Sequence, residues 1–292
     1  MKNLIKIEDL NKEEIIDILR LAKDIKNNPE SFQDKLKGKS LATLFFQPST
    51  RTRISSSLAM QKLGGNIVDI YETKIERGMS EEESFEDTIR VLGDYVDLIC
   101  FRHSLEEALF IAGKNTDTKI VNCGNGKDQH PTQALLDLFT IWEEFGRLDN
   151  LNIAIIGGLK NSRSAHSLLI AFSLFENNKI TLISPKNIRM PEKYLKLSKN
   201  FFETEDFDIS EKDVVYMCGL TSFDAEEETR RKYRMTISKA EQLNKSAIIL
   251  NPLPRIDEIE KDIDELLNAK YFLQSKNMVF VRMAIFIKIL EN

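Results

Sequence analysis

Residues 12–26, KEEIIDILRLAKDIK, place apolar side chains at 15, 16, 18, 19, 21, 22 and 25, one face of a helix. KSLATLFF, residues 39–46, is a continuous apolar run of strand length, and residues 51–63 carry helical character up to a stop at Gly64-Gly65. NIVDIY is a second strand. SEEESFEDTIRVLGDY opens with acidic residues, which suit the positive end of a helix, and continues as an apolar stripe. VDLICFR and TKIVNCG read as further strands. PTQALLDLFTIWEEFG predicts a helix with Pro131 near its first position and Gly146 after its end.

A second unit starts with the apolar strand LNIAIIGG and the helix NSRSAHSLLIAFSLF. KITLIS, DVVYMC and AIILN follow as short strands separated by helical segments, and DAEEETRRKYR reads as a solvated helix or loop. The closing NMVFVRMAIFIKILEN is helical and so apolar that it must pack on something. Strands alternating with helices imply parallel sheets, hence an α/β fold of doubly wound units.

Composition narrows this only in part. A length of 292 residues suggests two domains, and 42% apolar with 30% charged residues is ordinary for a globular protein with a substantial core. A net charge of −5 argues against a nucleic-acid binder but leaves room for a local anion pocket. No apolar run reaches the roughly 20 residues that cross a bilayer, and the N-terminus lacks a signal-peptide core, so the expected place is the cytoplasm. Cys100, Cys123 and Cys218 are too widely spaced for a disulfide framework or a zinc pattern, and no pair of the three histidines has metal-ligand spacing. Neither a metal nor a cofactor is expected.

The candidate chemistry begins in FFQPSTRTRISSSLAMQKLGG, residues 45–65, where a strand hands over to a helix. The first backbone N–H groups of a helix lack internal partners and carry partial positive charge. Ser49, Thr50 and Thr52 add hydroxyl donors, and Arg51 can fork onto two oxygens. Three further motifs fall after strands: Arg102-His103, His130 and Gln133 around Pro131, and Leu253-Pro254-Arg255. Open parallel sheets bind ligands at that edge. Taken singly, His103 and His130 are open between structural and catalytic roles, and His166 reads as a packing residue within its helix.

STRTR, RH, HPTQALLDLFTI, GRLDNL and PLPRIDEI, in this order and spacing, resemble the aspartate/ornithine carbamoyltransferases, and among them the aspartate carbamoyltransferase catalytic chain. The resemblance implies a carbamoyl phosphate domain over residues 1–134, completed by a C-terminal helix at 277–292 that returns to it. An amino-acid domain would span 135–276. It implies that Ser49, Thr50, Arg51 and Thr52 hold the phosphate. Arg102, His130 and Gln133 would surround the carbamoyl group, with Arg51, Thr52, Arg102 and His130 as the catalytic set, while the Leu253-Pro254 region orients the carbamoyl amide. Phosphate itself would accept the amine proton. Arg163 matches the family residue that binds the acceptor's α-carboxylate. The family forms homotrimers with shared active sites, and it serves pyrimidine biosynthesis where aspartate is the acceptor.

The departures lie on the acceptor side. The family usually has Glu where Gln47 precedes Pro-Ser-Thr, Arg-x-Gln where this chain has Gly219 and Thr221, a further Arg soon after, and His where Asn251 precedes Pro-Leu-Pro. A loop borrowed from the neighbouring subunit usually carries Lys-Gly-Glu. Here RGMSEEESFEDT puts Glu81 at the Lys in an ungapped alignment, whereas a local gap brings Arg77-Gly78 there. Losing two charge-assisted contacts of about 1.5–3 kcal/mol each lowers kcat/KM for aspartate by roughly two to four decades. Three alternatives stay open: aspartate handled by a rearranged loop, a different amino-acid or amine acceptor, or an impaired paralogue acting as a regulatory or structural partner. A nicotinamide-dependent dehydrogenase is a weaker alternative, since IIGGLKNSRS lacks G-x-G-x-x-G.

Overall fold

The computed structural model describes residues 3–71, 83–222 and 224–291. The chain divides into two compact units, residues 1–135 with 278–292, and residues 136–277.

In the first unit, α1 (Lys12–Asn27) follows the predicted stripe and buries Ile15, Ile18, Leu19, Ala22 and Ile25. Its start is fixed by a reciprocal cap: Glu14 N donates to Asn11 Oδ1 and Asn11 N to Glu14 Oε2, both at 2.9 Å. Then come β1 (Ser40–Phe45), α2 (Thr50–Lys62), β2 (Asn66–Tyr71), α3 (Phe85–Tyr95), β3 (Leu98–His103), α4 (Glu106–Asn115) and β4 (Lys119–Asn125). α3 starts later than the acidic run suggests, because the Ser84 hydroxyl accepts from Asp87 N and caps the helix there. All four strands pair in parallel in the order β2-β1-β3-β4. Leu44, Ile99 and Phe101 from the sheet pack with Ile89, Leu92 and Leu109 from the helices in one apolar cluster.

α5 (Pro131–Phe145) crosses into the second unit. There follow β5 (Asn152–Ile156), α6 (Arg163–Phe172), β6 (Lys179–Ile183), α7 (Glu192–Leu195), β7 (Phe201–Thr204), β8 (Val214–Met217), α8 (Glu227–Lys232), α9 (Ile237–Ala240) and β9 (Ile248–Leu250). The sheet is again fully parallel, ordered β7-β6-β5-β8-β9. β7 is absent from the sequence reading. It is an edge strand with no buried position, so the apolar pattern that marks its neighbours is missing. α8 is solvated, with no buried residue.

α10 (Tyr271–Leu290) closes the chain and returns to the first unit from Met278 onward. Its last turns bury Val281, Ile285, Phe286 and Ile289 there, and Lys288 lies 3.5 Å from Asp17 of α1.

Candidate functional site

Both sheets reverse their winding direction beside their first strand. In the first unit the chain runs from β1 outward to β2 and then back to β3 on the other side. In the second it runs from β5 out to β7 and then back to β8. A crevice opens at the carboxyl ends of the two strands flanking such a reversal, and ligands bind there. The Ser49–Thr52 motif and Arg102 fall at the first of these places and Arg163 and Gly219 at the second, while His130 and Leu253 follow the neighbouring strands β4 and β9.

At the first reversal, Ser49 is the N-cap of α2, yet its side chain makes no capping hydrogen bond. Hydroxyls deeper in the helix are spent on the backbone: Ser55 Oγ donates to the Arg51 carbonyl at 2.6 Å and Ser56 Oγ to the Thr52 carbonyl at 2.8 Å. Thr50 is exposed, Arg51 half-buried and Thr52 buried, so the motif grades from solvent into the fold. Burial draws the Arg51 pKa down from its ordinary value. Arg102 stands on the neighbouring strand, in register with Phe45, and its carbonyl accepts from Phe46 N at 2.9 Å. Arg102 is 8% exposed, and its guanidinium donates through Nη1 to the Cys123 carbonyl at 3.0 Å, which fixes a cation beside the α2 start.

The next strand end, β4, delivers the third motif. Asn125 N donates to the Gln129 carbonyl at 3.1 Å, closing a turn that sets His130 at the start of α5. The His130 carbonyl accepts from Gln133 N at 2.9 Å and begins the helix. Thr132 Oγ1 lies 3.2 Å from His130 Nδ1, and both His130 and Gln133 are buried. His103 is held differently. Its Nδ1 accepts from Leu105 N at 2.9 Å, and its ring sits among Phe46, Phe85 and Phe101. That packing accounts for it as a structural residue.

At the second reversal, the loop after β5 and the loop after β8 meet: Gly158 N donates to the Gly219 carbonyl at 3.0 Å. Gly157 has φ +126° and a Cβ there would come within 3.0 Å of that carbonyl, so only glycine fits. The loop leads to Arg163, first residue of α6, where burial holds the guanidinium pKa down to about 10. His166 Nε2 donates to the Leu159 carbonyl at 2.7 Å and the ring stacks on Tyr194 at 3.9 Å, so it braces the same loop. Gly219 has φ +61°. Thr221 donates to Asp224 Oδ2 through its backbone N at 3.0 Å and its hydroxyl at 2.7 Å, and Asn161 Nδ2 reaches Asp224 Oδ1 at 3.3 Å.

Beyond β9, Leu253 has φ +51° and precedes a cis peptide to Pro254. Arg255 turns away from this loop onto the Asp264 carboxylate, at 2.6 Å through Nη2, with Tyr271 on the same carboxylate. It is therefore part of a structural ion pair. Glu81, like Arg77 and Glu82, lies outside the described residues. Cys218 stays a protonated thiol, pushed up to about 12 by burial. Among the described residues no group of acidic, His and Cys side chains could hold a metal ion, and no helix is long and apolar enough to cross a membrane.

Sequence reasoning missed Asp224 and Glu258. Glu258 is 7% exposed and accepts from Asn251 Nδ2 at 2.9 Å and Ile256 N at 2.8 Å. A buried carboxylate needs such donors, but nothing in the local sequence marks which acidic residue has them.

The carbamoyl-P binding domain of the aspartate/ornithine carbamoyltransferases matches residues 2–143, and their Asp/Orn binding domain matches residues 149–289. The chain belongs to this family. The aspartate carbamoyltransferase catalytic subunit of Methanocaldococcus jannaschii is 42% identical over 303 residues, covering 100% of this chain and 99% of the relative. That of Finegoldia magna is 40% identical over 301 residues, covering 99% and 98%. Among solved structures, the M. jannaschii aspartate transcarbamoylase catalytic subunit superposes with a TM-score of 0.91 at 40% identity, over 100% of this chain and 98% of that one. Aspartate transcarbamoylase from Trypanosoma cruzi in complex with N-(phosphonacetyl)-L-aspartic acid gives 0.92 at 29% identity, over 99% and 96%.

Proposed function

We propose that this chain moves the carbamoyl group of carbamoyl phosphate onto the amine of an amino acid. The observation that carries this is the anion motif at the start of α2, with the buried Arg102 on the adjacent strand end. The Ser49 and Thr50 hydroxyls, Arg51, Thr52 and the free N–H groups of α2 hold the phosphate. Arg102 and His130 donate to the carbamoyl oxygen, where negative charge builds as the amine attacks. If the Thr132 hydroxyl donates to His130 Nδ1, the imidazole keeps its proton on Nε2 for that oxygen. Gln133 and the Leu253 carbonyl orient the carbamoyl NH2. The amine nitrogen bonds to the carbonyl carbon, the bond to the phosphate oxygen breaks, and phosphate leaves with the amine proton. No protein base is required.

Arg163 is the reader of the acceptor's α-carboxylate. The names of the relatives make aspartate the first acceptor to test. The far end of the acceptor is treated differently here: Gly219 offers no side chain, the Thr221 hydroxyl is committed to Asp224, and Asp224 brings a carboxylate. This supports slow turnover of aspartate, and a second reading in which the acceptor's far end is uncharged or cationic.

A homotrimer with shared active sites fits as well, since α2 and the edge strand β2 expose Ile54, Leu58 and Val68. Light scattering at micromolar concentration is expected to give three chains. A fully active monomer contradicts the shared site. The functional test is phosphate release from carbamoyl phosphate across a panel of amino acids and amines. Release with at least one amino acid is expected; release with none overturns the proposal.

A further inference from the structure

We infer that Asn251 is a positioning residue, which fixes the Leu253 backbone and, through Glu258, the Gly219 turn. The inference rests on the reading above that the Leu253 carbonyl takes the carbamoyl amide.

Asn251 is 2% exposed, and both polar atoms of its side chain and its backbone N–H are engaged. Its Oδ1 accepts from Leu253 N at 2.6 Å, and its Nδ2 donates to the Met217 carbonyl at 3.0 Å and to Glu258 Oε1 at 2.9 Å. Its backbone N donates to Gln274 Oε1 at 3.0 Å, and Gln274 is anchored in turn on Asp137 at 2.6 Å. The other Glu258 oxygen accepts from Ile256 N at 2.8 Å. The loop is thus pinned on both sides of Leu253 by part-buried hydrogen bonds to Asn251 and Glu258, which are themselves joined by a buried one.

Leu253 itself sits at φ +51°, a region that residues with a side chain rarely occupy. Its side chain is only half-buried and Pro254 is exposed, so apolar packing does little to hold the conformation. The polar pins impose it, and the direction of the Leu253 carbonyl follows. The same side chain reaches the end of β8 at Met217, two residues before Gly219, while the Glu258 carboxylate packs against Gly219. One asparagine therefore ties together the loop for the carbamoyl group and the turn on the acceptor side.

The test compares binding of carbamoyl phosphate and of inorganic phosphate by calorimetry, together with kcat. Asn251→Ala is expected to weaken carbamoyl phosphate about tenfold, the usual effect of losing buried hydrogen bonds, and to leave phosphate affinity unchanged. The kcat should fall at least tenfold. Asn251→Asp is isosteric; it keeps the acceptor for Leu253 but loses both donors and faces Glu258. It is expected to lower the same affinity ratio, and it decides the matter if Asn251→Ala gives no cooperative melt. A wild-type ratio in the folded variant, or an equal loss for both ligands, overturns the inference while the wild type remains active. A wild type that binds both ligands equally and releases phosphate with no acceptor removes the functional reading together with it.

Discussion

Glu258 packs its carboxylate against the α-carbon of Gly219, so that a Cβ there would meet the carboxyl carbon and Oε1 at 3.2 Å. Gly219 also has φ +61°. From sequence alone, Gly219→Arg looks like a direct route to aspartate binding. The geometry argues against it, because the left-handed backbone costs a side-chain residue about 1–2 kcal/mol before any contact with Glu258. Gly219→Ala and Gly219→Arg are each expected to lower the melting temperature by a few degrees, and Gly219→Arg is expected to leave aspartate kcat/KM no higher than wild type. A Gly219→Arg enzyme that is stable and faster on aspartate contradicts this.

Asp224 is the better lever on the acceptor. Its carboxylate lies at the Thr221 turn, and on the acceptor reading proposed above a second substrate carboxylate would meet like charge there. Wild-type kcat/KM for aspartate is expected below about 10⁴ M⁻¹s⁻¹, the lower end of the ordinary enzyme range. Asp224→Asn keeps the shape and removes the charge, and about a tenfold gain is expected. Steady-state kinetics of the two proteins checks both statements.

Arg51 is expected to be indispensable for the anion. Charge-assisted hydrogen bonds contribute about 1.5–3 kcal/mol each, so removing a forked pair weakens binding by roughly a hundredfold or more. Calorimetry with carbamoyl phosphate on Arg51→Ala tests it, and equal affinity in wild type and variant shows that the phosphate binds elsewhere.

The Arg255–Asp264 pair predicts part of the acid limb of stability. The hydrogen bond from Arg255 lowers the Asp264 pKa, opposed by burial, and the hydrogen bond from Tyr271 lowers it further. A carboxylate with a depressed folded pKa adds stability that is complete above its unfolded value, near 3.9, and is lost as pH falls through the folded value. Asp264→Asn is therefore expected to be less stable than wild type at pH 6, with the gap narrowing as pH drops below about 4. Urea midpoints at pH 6 and pH 3 measure it. An unchanged gap shows that the pair stabilises by packing alone.

The proposed phosphate half of the site rests on a contiguous motif: hydroxyls and an arginine fall at one strand-to-helix junction, where the sequence itself sets the backbone geometry. The alternation of elements likewise determined the parallel sheets, and Gly146 marked the end of α5 through local interactions. The start of α10 was not legible in this way. Gln274 and Asn277 interrupt its apolar run, yet both are buried, donating to Asp137 at 2.6 Å and Glu143 at 2.9 Å across a distance of more than a hundred residues. The proposed acceptor half depends on similar distant meetings. Gly219 reads as a lost arginine until Glu258, 39 residues on, is found against it. Asn251 reads as a replaced histidine until its side chain is seen to reach back to Met217 and forward to Leu253. Periodicity and turn chemistry are encoded within a few residues of one another. The partner of a buried polar group is chosen by whichever strand end the sheet order brings beside it, and that order is settled only when the whole unit packs.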